Sequence, residues 1–495
     1  MANLPATNRM HCKTRILVSA LALALALATP APAGPPRKAS TALAARVAAA
    51  RPADAHAVFV FFRDKGEQGA RAASRAVSPR ALTRRALRGR AGADGGFEDL
   101  PLVESYVHAV EVHSLRLRQR LRWLNAVSAV ATSEQIKALE ALPFVERLDV
   151  VRGFKRGPEE PSLDLSPSAR VAQRSDDAEP HAINYGSSLG QVQQIGVPAV
   201  HDRGLHGEGV VVAVLDAGFD NLAHEVFSGM RVLAAHDFVN GDDDVGDGRD
   251  RGEGSHGTST LSALGGYREG ELVGPAFAAS FLLAKTEDTT SETPVEEDNW
   301  AAAAEWAEAL GADVISSSLG YLEFDRGIPS YTWADMNGQT AISTRAAELA
   351  AARGVVVVNS AGNSGFDPAR NTLGAPADGV HVIAVAAVTS TGQRASFSSV
   401  GPSADGRIKP DVAAQGTAVK VAGSLAGQYR LSSGTSFSCP LTAGVVALIV
   451  QAHPEYPVDD VINVLRGSAR NAALPDSLLG YGIVDALAAI DARRP

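Results

Sequence analysis

The sequence predicts an α/β protein whose larger part is built on a central, mostly parallel sheet and is preceded by a small α+β module. In the larger part, short and nearly continuous apolar runs alternate with alanine-rich helical stretches such as 301–310 and 343–353. Strands without a polar face are expected where helices cover both faces of a parallel sheet. Chemistry is then expected at the carboxyl ends of the strands, which lie at one edge. The apolar runs are 210–215, 281–284, 313–316, 355–358 and 382–388.

The small module is expected at residues 55–156, where strand and helix patterns alternate. Thr132 or Ser133 is suited to cap a predicted helix at 134–142. The arginine-studded stretch 63–96 is interpreted as an exposed insertion that could contain a frayed helix. The predicted strands lie at 56–62, 106–112, 123–131 and 145–151.

The segments around the two folded parts have the composition of a leader and linkers. In residues 1–33, basic residues precede the apolar stretch 16–28, and Ala-Pro-Ala at 31–33 offers a cleavage site, which is typical of a secretory signal. Residues 34–54 are rich in Ala, Pro and Arg and are expected to be a linker with nothing to bury. Residues 157–184 predict a second linker, open to proteolysis.

Composition excludes several classes of protein. The 495 residues carry a net charge of −9, so there is no basic surplus to neutralise nucleic-acid phosphates. Beyond the leader, no segment is expected to be long and apolar enough to span a membrane. Of the two cysteines, Cys12 falls in the leader, which leaves Cys439 without an internal disulfide partner and predicts a small core residue.

The most informative stretch runs from residue 431 to 440 and leads into the apolar run 441–450. Glycine and small hydroxyl residues followed by a helical pattern predict a loop that turns into a buried helix, with Ser436 at its amino end. The unpaired N–H groups and the dipole at that end favour the negative charge that forms when a serine attacks a carbonyl. An isolated serine there would more often be an N-cap, so the hypothesis of a nucleophilic serine requires a base and a carboxylate elsewhere in the sequence.

Three polar residues qualify as partners. Asp216 follows the apolar run 210–215, His256 lies in a glycine-framed entry to a short helix, and Asn363 lies in the tight turn after 355–358. Taken singly, the aspartate could cap a turn, the histidine could be a surface residue and the asparagine could be a turn residue. An asparagine amide can also donate a hydrogen bond to an oxyanion without carrying charge.

In this chain order the motifs are similar to those of the subtilisin-like serine peptidases. The matching stretches are VAVLDAGF, HGTS, NSAGNSG and GTSFSCPLTAGVVAL, and further matching blocks extend the likeness over residues 185–495. Unrelated folds that carry this triad differ in the order of its three residues along the chain, and Asp, His, Ser is one of these orders. The resemblance implies a three-layer fold with a central, mostly parallel sheet.

The resemblance also implies a role for each site residue. Ser436 would attack the peptide carbonyl, His256 would move the proton, and Asp216 would orient the imidazole. Asn363 and the Ser436 N–H would bind the oxyanion, and an extended substrate would lie along Ser318-Leu319-Gly320. We therefore expect a secreted serine endopeptidase, extracellular or periplasmic, that acts on proteins or peptides. The alternative is an inactive relative that acts as a secreted binding protein.

The small module resembles the inhibitory pro-domain of the same family in the stretches 124–130 and 144–148 and in the helix between them. The resemblance implies an intramolecular inhibitor at 55–156 and a maturation cut within 157–184. No nucleic acid and no membrane anchor are expected as partners.

The acidic, glycine-containing loop 240–254 precedes His256. Such a loop could hold a structural calcium, as in many relatives, but its spacing is not that of an EF-hand and a solvated loop is favoured. No cofactor is expected for the chemistry, and the metal site stays unassigned. The aspartates of this loop are Asp242, Asp243, Asp244, Asp247 and Asp250.

Overall fold

The computed structural model describes most of the chain beyond the leader. The described residues are 37–67, 77–89, 96–152, 160–165 (backbone only), 181–246, 255–288, 297–322 and 330–494. The described residues from 38 onward form one folded unit, and the predicted signal at 1–33 lies outside the described residues.

The amino-terminal part of this unit is a small α+β module. Among the described residues its sheet has four antiparallel strands in the order β2-β3-β1-β4. The elements are α1 (Thr41–Ala49), β1 (Ala55–Phe62), α2 (Pro79–Arg88), α3 (Glu104–Val112), β2 (Arg116–Leu121), β3 (Ala126–Thr132), α4 (Ser133–Ala141) and β4 (Val145–Val150).

Strand β1 is an almost unbroken apolar run because both of its faces are buried. Val58, Val60 and Phe62 pack with the helices of the module itself. Phe59 and Phe61 point the other way, into a core shared with the larger part of the chain. The period of two along a strand divides the run between these cores. The module is therefore packed onto its neighbour through one face of its sheet.

Three expectations about this module were wrong. The supposed linker 34–54 contains α1, which Ser40 caps and which buries Leu43. The strand predicted at 106–112 is the helix α3, in which the buried Val107 and Val110 are three residues apart, a helical spacing. The insertion 63–96 does contain a helix, α2, but it is not exposed throughout, because one face of α2 buries arginine side chains.

The larger part of the chain begins with a short strand, β5, and is an α/β structure. Its elements are β5 (Glu160–Leu165), α5 (Leu189–Gln193), α6 (Val197–His201), β6 (Val211–Asp216), β7 (Arg231–Asp237), α7 (Ser255–Gly265), β8 (Tyr267–Arg268), β9 (Leu272–Val273), β10 (Ser280–Lys285), α8 (Glu297–Leu310), β11 (Val314–Ser317), α9 (Ile342–Ala352), β12 (Val356–Ser360), β13 (Val382–Val388), β14 (Val412–Gln415), β15 (Val419–Ala422), β16 (Tyr429–Ser433), α10 (Thr435–Ala452), α11 (Val458–Ser468) and α12 (Ala486–Asp491).

The central sheet confirms the predicted parallel architecture. In the described residues it has seven strands in the order β14-β13-β12-β11-β6-β10-β7, and every neighbouring pair is parallel. Val212 and Val214 of β6 pack on the face that holds α7 and α10, and Val211 and Ala213 pack on the face that holds α8 and α9. Two helical layers therefore enclose the sheet, as the apolar runs indicated.

Helix α10 is the core helix of this part. Among the described residues it alone is long and apolar enough to cross a membrane, with a mean hydropathy of 1.5 over its 18 residues. The expectation that no such segment follows the leader was therefore wrong on length and hydropathy. However, 89% of the helix is buried within the protein, which is the environment of a core helix.

The carboxyl ends of the parallel strands bring the candidate residues to one edge of the sheet. Strand β6 ends at Asp216, and β11 is followed directly by Ser318. Strand β12 ends at Ser360, three residues before Asn363. Helices α7 and α10 supply His256 and Ser436 from their first turns.

Candidate active site

Asp216 is a fully buried carboxylate held by three donors. Its Oδ1 accepts hydrogen bonds from Nδ1 of His256 at 2.5 Å and from the N–H of Ala217 at 2.7 Å. Its Oδ2 accepts a hydrogen bond from the hydroxyl of Thr260 at 2.9 Å. Because donors approach both oxygens, the carboxylate is fixed in position and its charge is compensated without direct contact with water.

His256 lies between this carboxylate and the first turn of α10. Its ring centroid is 5.9 Å from that of Phe437. A proton on Nδ1, shared with Asp216, leaves the lone pair of the neutral imidazole on Nε2. The following residue must be glycine, because a Cβ at Gly257 would lie 2.1 Å from the carbonyl oxygen of Gly218. This close approach brings the start of α7 against the turn after β6.

Ser436 is linked in both directions to the segment after β11. Its hydroxyl donates to the main-chain oxygen of Ser318 at 3.3 Å, and the Ser318 hydroxyl donates to the main-chain oxygen of Ser436 at 2.8 Å. Both serines are 5% exposed. The predicted nucleophile and the predicted substrate-binding segment are thus directly bonded.

Asn363 is oriented by the residue that precedes Ser436. Its Oδ1 accepts from both the N–H and the hydroxyl of Thr435, each at 2.9 Å. A Cβ built on Gly434 would lie 3.5 Å from Asn363 Nδ2 and 3.7 Å from the backbone nitrogen of Ser436. Two N–H donors therefore flank one small space beside Gly434, whose φ of +153° L-residues rarely adopt.

The predicted substrate-binding segment, Ser318 to Gly320, continues β11 beyond the sheet. The carbonyl of Leu319 accepts from the Asn359 amide at 2.8 Å. The backbone of Tyr321 is bonded in both directions to Ala375, at 2.9 and 3.0 Å. These bonds, with those between Ser318 and Ser436, fix the position of the segment next to Ser436.

Sequence reasoning missed two residues of this site. Thr260 binds Asp216 and lies four residues after His256, so the helical spacing could have identified it. Thr435 orients Asn363 from the position next to Ser436. Neither has a side chain that could itself act as the base.

Cys439 is a core residue, as predicted, and not a second nucleophile. It is a free, fully buried cysteine. Burial raises the pKa of its thiol to about 12. The thiolate that reacts with electrophiles is therefore scarce at neutral pH.

The acidic loop before His256 is only partly described, and Asp247 and Asp250 lie outside the described residues. Asp243 pairs with His236, and the Oδ1 atoms of Asp242 and Asp244 accept N–H groups of their own loop. Among the described residues no group of three or more His, Cys, Asp or Glu side chains could hold a metal ion. The described donors therefore do not fit a calcium site.

An α/β fold that brings a carboxylate–histidine pair and a helix-borne serine to one sheet edge is the architecture of a serine hydrolase. The model of the subtilase family matches residues 207–482, more than half of the chain. The chain belongs to the subtilase family and is a subtilisin-like serine peptidase. A peptidase S8 propeptide domain of the Bacteroidota type matches residues 57–163, so the peptidase is made with a propeptide. The predicted family and fold are confirmed.

Several known proteins are similar to this chain. Subtilisin NAT from Bacillus subtilis subsp. natto is 29% identical over 356 residues, which cover 72% of this chain and 78% of the relative. The subtilisin of Bacillus pumilus is 32% identical over 280 residues, covering 56% and 90%.

A solved structure, fervidolysin from Fervidobacterium pennivorans, described as a keratinolytic enzyme related to subtilisin, superposes with a TM-score of 0.62. At 22% identity this likeness shows the fold alone. The match covers 90% of this chain and 62% of fervidolysin, so the chain spans less than two thirds of that protein.

Proposed function

We propose that the protein is a secreted serine endopeptidase that hydrolyses peptide bonds through an acyl-enzyme formed on Ser436. His256 is the general base and acid, and Asp216 holds the imidazole in the reactive tautomer. The observation that supports this best is the 2.5 Å hydrogen bond between His256 Nδ1 and the buried Asp216. It directs the basic nitrogen Nε2 away from the carboxylate.

In the first half-reaction, Ser436 Oγ exchanges its hydrogen bond to Ser318 for one to His256 Nε2. Oγ then attacks the carbonyl carbon while the proton moves to the imidazole. Collapse of the tetrahedral intermediate breaks the C–N bond, and the imidazolium returns the proton to the leaving amine. In the second half-reaction, a water molecule replaces the amine and the same proton transfers release the carboxylic acid. These steps need no cofactor, and no calcium is assigned.

Charge on the tetrahedral intermediate is stabilised by Asn363 Nδ2 and the N–H of Ser436. The two bonds from Thr435 to Asn363 Oδ1 support this role, because they turn the amide nitrogen toward Gly434. The donors are in place before the substrate arrives, so they need little reorganisation during the reaction.

An extended substrate is proposed to add as a strand along Ser318-Leu319-Gly320. The carbonyl of Leu319 already accepts the Asn359 amide, whereas the carbonyl of Ser318 loses the Ser436 hydroxyl when that hydroxyl turns to His256. The backbones of Ser318 and Gly320 are therefore assigned to pairing with the substrate. Gly320 has no side chain to obstruct that strand.

The small module is proposed to be the inhibitory pro-domain, and two contacts support this. Arg118 donates to Asp298 at 2.9 Å and the Gln119 amide donates to Asn299 at 2.9 Å, so β2 docks at the amino end of α8. Further along the chain, β5 pairs antiparallel with β16, the strand that leads into Ser436. The chain's own backbone thus lies along the approach to the nucleophile.

We propose the domain order signal 1–33, pro-domain to 156, maturation segment 157–184 and peptidase 185–495. Because α1 packs on β4, the folded pro-domain is placed from residue 38 instead of 55. Export is inferred from the signal-like leader, to the periplasm or the cell exterior. Amino-terminal sequencing of precursor and processed protein measures both cuts.

The test uses the full chain, expressed with its leader and allowed to mature. We expect the processed wild type to cleave casein and to be labelled by a fluorophosphonate probe, and Ser436→Ala to do neither. Ser438→Ala is the matched control, because its hydroxyl donates only within the first turn of α10 to Thr435. Absence of labelling in a processed, folded wild type would contradict the proposal and favour the inactive, secreted binding protein.

A further inference from the structure

Helix α2 presents a face of arginines to the peptidase domain. Arg80, Arg84 and Arg88 recur every four residues and Arg85 adjoins them, and these four residues are called here the arginine face. Arg84, Arg85 and Arg88 are at most 4% exposed. Guanidinium groups are almost never fully buried unless they are paired, so their partners determine what this helix does.

Glu308, near the end of α8, receives two of these arginines. Arg85 donates to its two carboxylate oxygens at 2.8 and 2.7 Å, and Arg84 also binds it. Arg84 donates in addition to the main-chain oxygen of Ala312 at 2.5 Å. The paired contact of Arg85 has the two-pronged geometry that makes arginine–carboxylate recognition specific.

Asp313, in front of β11, receives the other two arginines. Arg80 and Arg88 bind its two oxygens, and Arg80 also donates to the main-chain oxygen of Gly311 at 3.0 Å. Asp313 accepts the N–H of Val211 at 2.9 Å as well. Glu308, Asp313 and the carbonyls of Gly311 and Ala312 are called here the amino-end patch.

A chain of alternating charges extends this contact. Arg85 links Glu308 to Asp99 of the pro-domain, and Asp99 in turn accepts from Arg353 of the peptidase domain at 3.1 Å. The guanidinium of Arg353 lies over the ring of Trp123, 5.0 Å from its centroid. Side chains of opposite charge therefore alternate across the boundary between the pro-domain and the peptidase domain, and each is buried with a partner.

The amino-end patch is far from the catalytic centre. Val211, which binds Asp313, starts β6, and Asp216 ends it. Five residue steps of a strand span about 17 Å. The arginine face therefore binds at the end of the central sheet that lies opposite the triad, and it does not enter the substrate cleft.

We propose that the arginine face is a second docking element of the pro-domain, which binds the amino-end patch and keeps the cleaved pro-domain attached independently of the cleft. The partner that fits this patch is a helix with arginines at four-residue spacing, supplied by the chain itself. The inference rests on the proposed function, since retention matters only if maturation cuts the chain after the pro-domain. Two linked contacts release more slowly than either contact alone.

The experiment follows the pro-domain fragment after maturation of the full chain. A fluorophosphonate probe is present, so that liberated enzyme cannot digest the fragment, and size exclusion measures co-elution over time. We expect the combined variant Arg84→Gln, Arg88→Gln to release the fragment about 30-fold faster than wild type or more, because truncating a buried charge pair acts mainly on dissociation. Release at the wild-type rate would overturn the proposal.

The matched control is the combined variant Leu82→Gln, Leu87→Gln, whose side chains lie on the exposed face of the same helix. It should release the fragment at the wild-type rate, and faster release would assign the effect to helix stability. If the arginine variant does not fold, Arg80→Gln replaces it, since that side chain is 43% exposed. Several-fold faster release is then expected, and an unchanged rate would contradict the proposal.

A second measurement separates this inference from the proposed function. In the uncut Ser436→Ala chain, the arginine variant should speed hydrogen exchange in α2 and at 311–313 by about tenfold, while the sheet of the pro-domain keeps its protection. Unchanged exchange would overturn the docking role even if the wild type never matures. Normal probe labelling together with unchanged retention of the fragment would contradict only the docking role. Absent labelling of the processed enzyme would contradict only the proposed activity.

Discussion

Thr260 donates its hydroxyl to Oδ2 of Asp216 at 2.9 Å, while His256 binds Oδ1 of the same carboxylate. Both donors come from α7 and are one helical turn apart. The helix therefore fixes the carboxylate through both of its oxygens. This relationship makes Thr260 a positioning residue.

The substitution Thr260→Val tests that role, because it keeps the shape of the side chain and removes the donor. Hydrogen bonds to charged groups contribute about 1.5–3 kcal/mol, so we expect kcat to fall by about tenfold or more with little change in KM. The pH–rate profile should also change, because a less firmly held carboxylate stabilises the imidazolium of His256 less. Steady-state kinetics against pH measure both effects.

Thr442→Val is the control for this prediction. The Thr442 hydroxyl is buried in α10 and makes no hydrogen bond within the described part of the chain. The same chemical change there should leave kcat and the pH profile as in wild type. Equal losses in the two variants would point to general destabilisation and against positioning of Asp216.

Asn363→Ala is expected to lower kcat by about a hundredfold to a thousandfold and to leave KM nearly unchanged. The reason is that the proposed contact of its amide is with charge that exists only in the transition state. Asn363→Asp, of nearly equal size, should be at least as slow, because a carboxylate repels the oxyanion. A change confined to KM in either variant would assign Asn363 to ground-state binding.

Much of the fold could be predicted because its signals are local. The run predicted at 382–388 coincides with β13, which is buried along its whole length on both faces. Candidate site residues could be proposed from the sequence because each follows a strand or starts a helix in a short motif. Asp216 and His256 are 40 residues apart, yet the end of one parallel strand and the entry of the next helix meet at one edge.

The segments of the fold that were predicted wrongly depend on distant partners or have weak local patterns. From the sequence alone Arg84 is predicted to be an exposed charge, because its carboxylate partner Glu308 lies 224 residues further along the chain. The helix at 104–112 contains valines that also favour strands, and only the three-residue spacing of Val107 and Val110 indicated a helix. Burial of a charge is decided by tertiary partners, which neither composition nor periodicity reports.

Cys439 is expected to be unreactive in the folded enzyme. Since burial raises its thiol pKa to about 12, iodoacetamide at pH 8 should leave native protein unmodified and fully active, and should alkylate it after unfolding. Mass spectrometry of intact protein measures the modification. Cys439→Ala should retain the wild-type kcat, and a large loss without loss of stability would contradict the assignment of Cys439 to the core.

Glu305 makes the attachment of the pro-domain depend on pH. Its carboxylate, on α8, accepts the backbone N–H groups of Arg122 and Trp123 at 3.0 and 2.9 Å. Burial beneath the pro-domain raises the pKa of Glu305 to about 7, against the opposing influence of Arg122 and Lys65. Between about pH 4.3 and pH 7 the docked state therefore holds a proton that a solvated glutamate, with a pKa of about 4.3, has lost.

The sign of the pH effect follows from this proton uptake. Docking binds a proton between pH values of about 4.3 and 7, so the stabilising contribution is complete below that window and is lost as the pH rises through 7. We expect the cleaved pro-domain to dissociate at least about tenfold faster at pH 8 than at pH 5. Glu305→Gln stays neutral but can accept only one of the two N–H groups, so it should release the fragment at a rate that does not change between pH 5 and pH 8. An equally steep pH dependence in Glu305→Gln would assign the effect to another group.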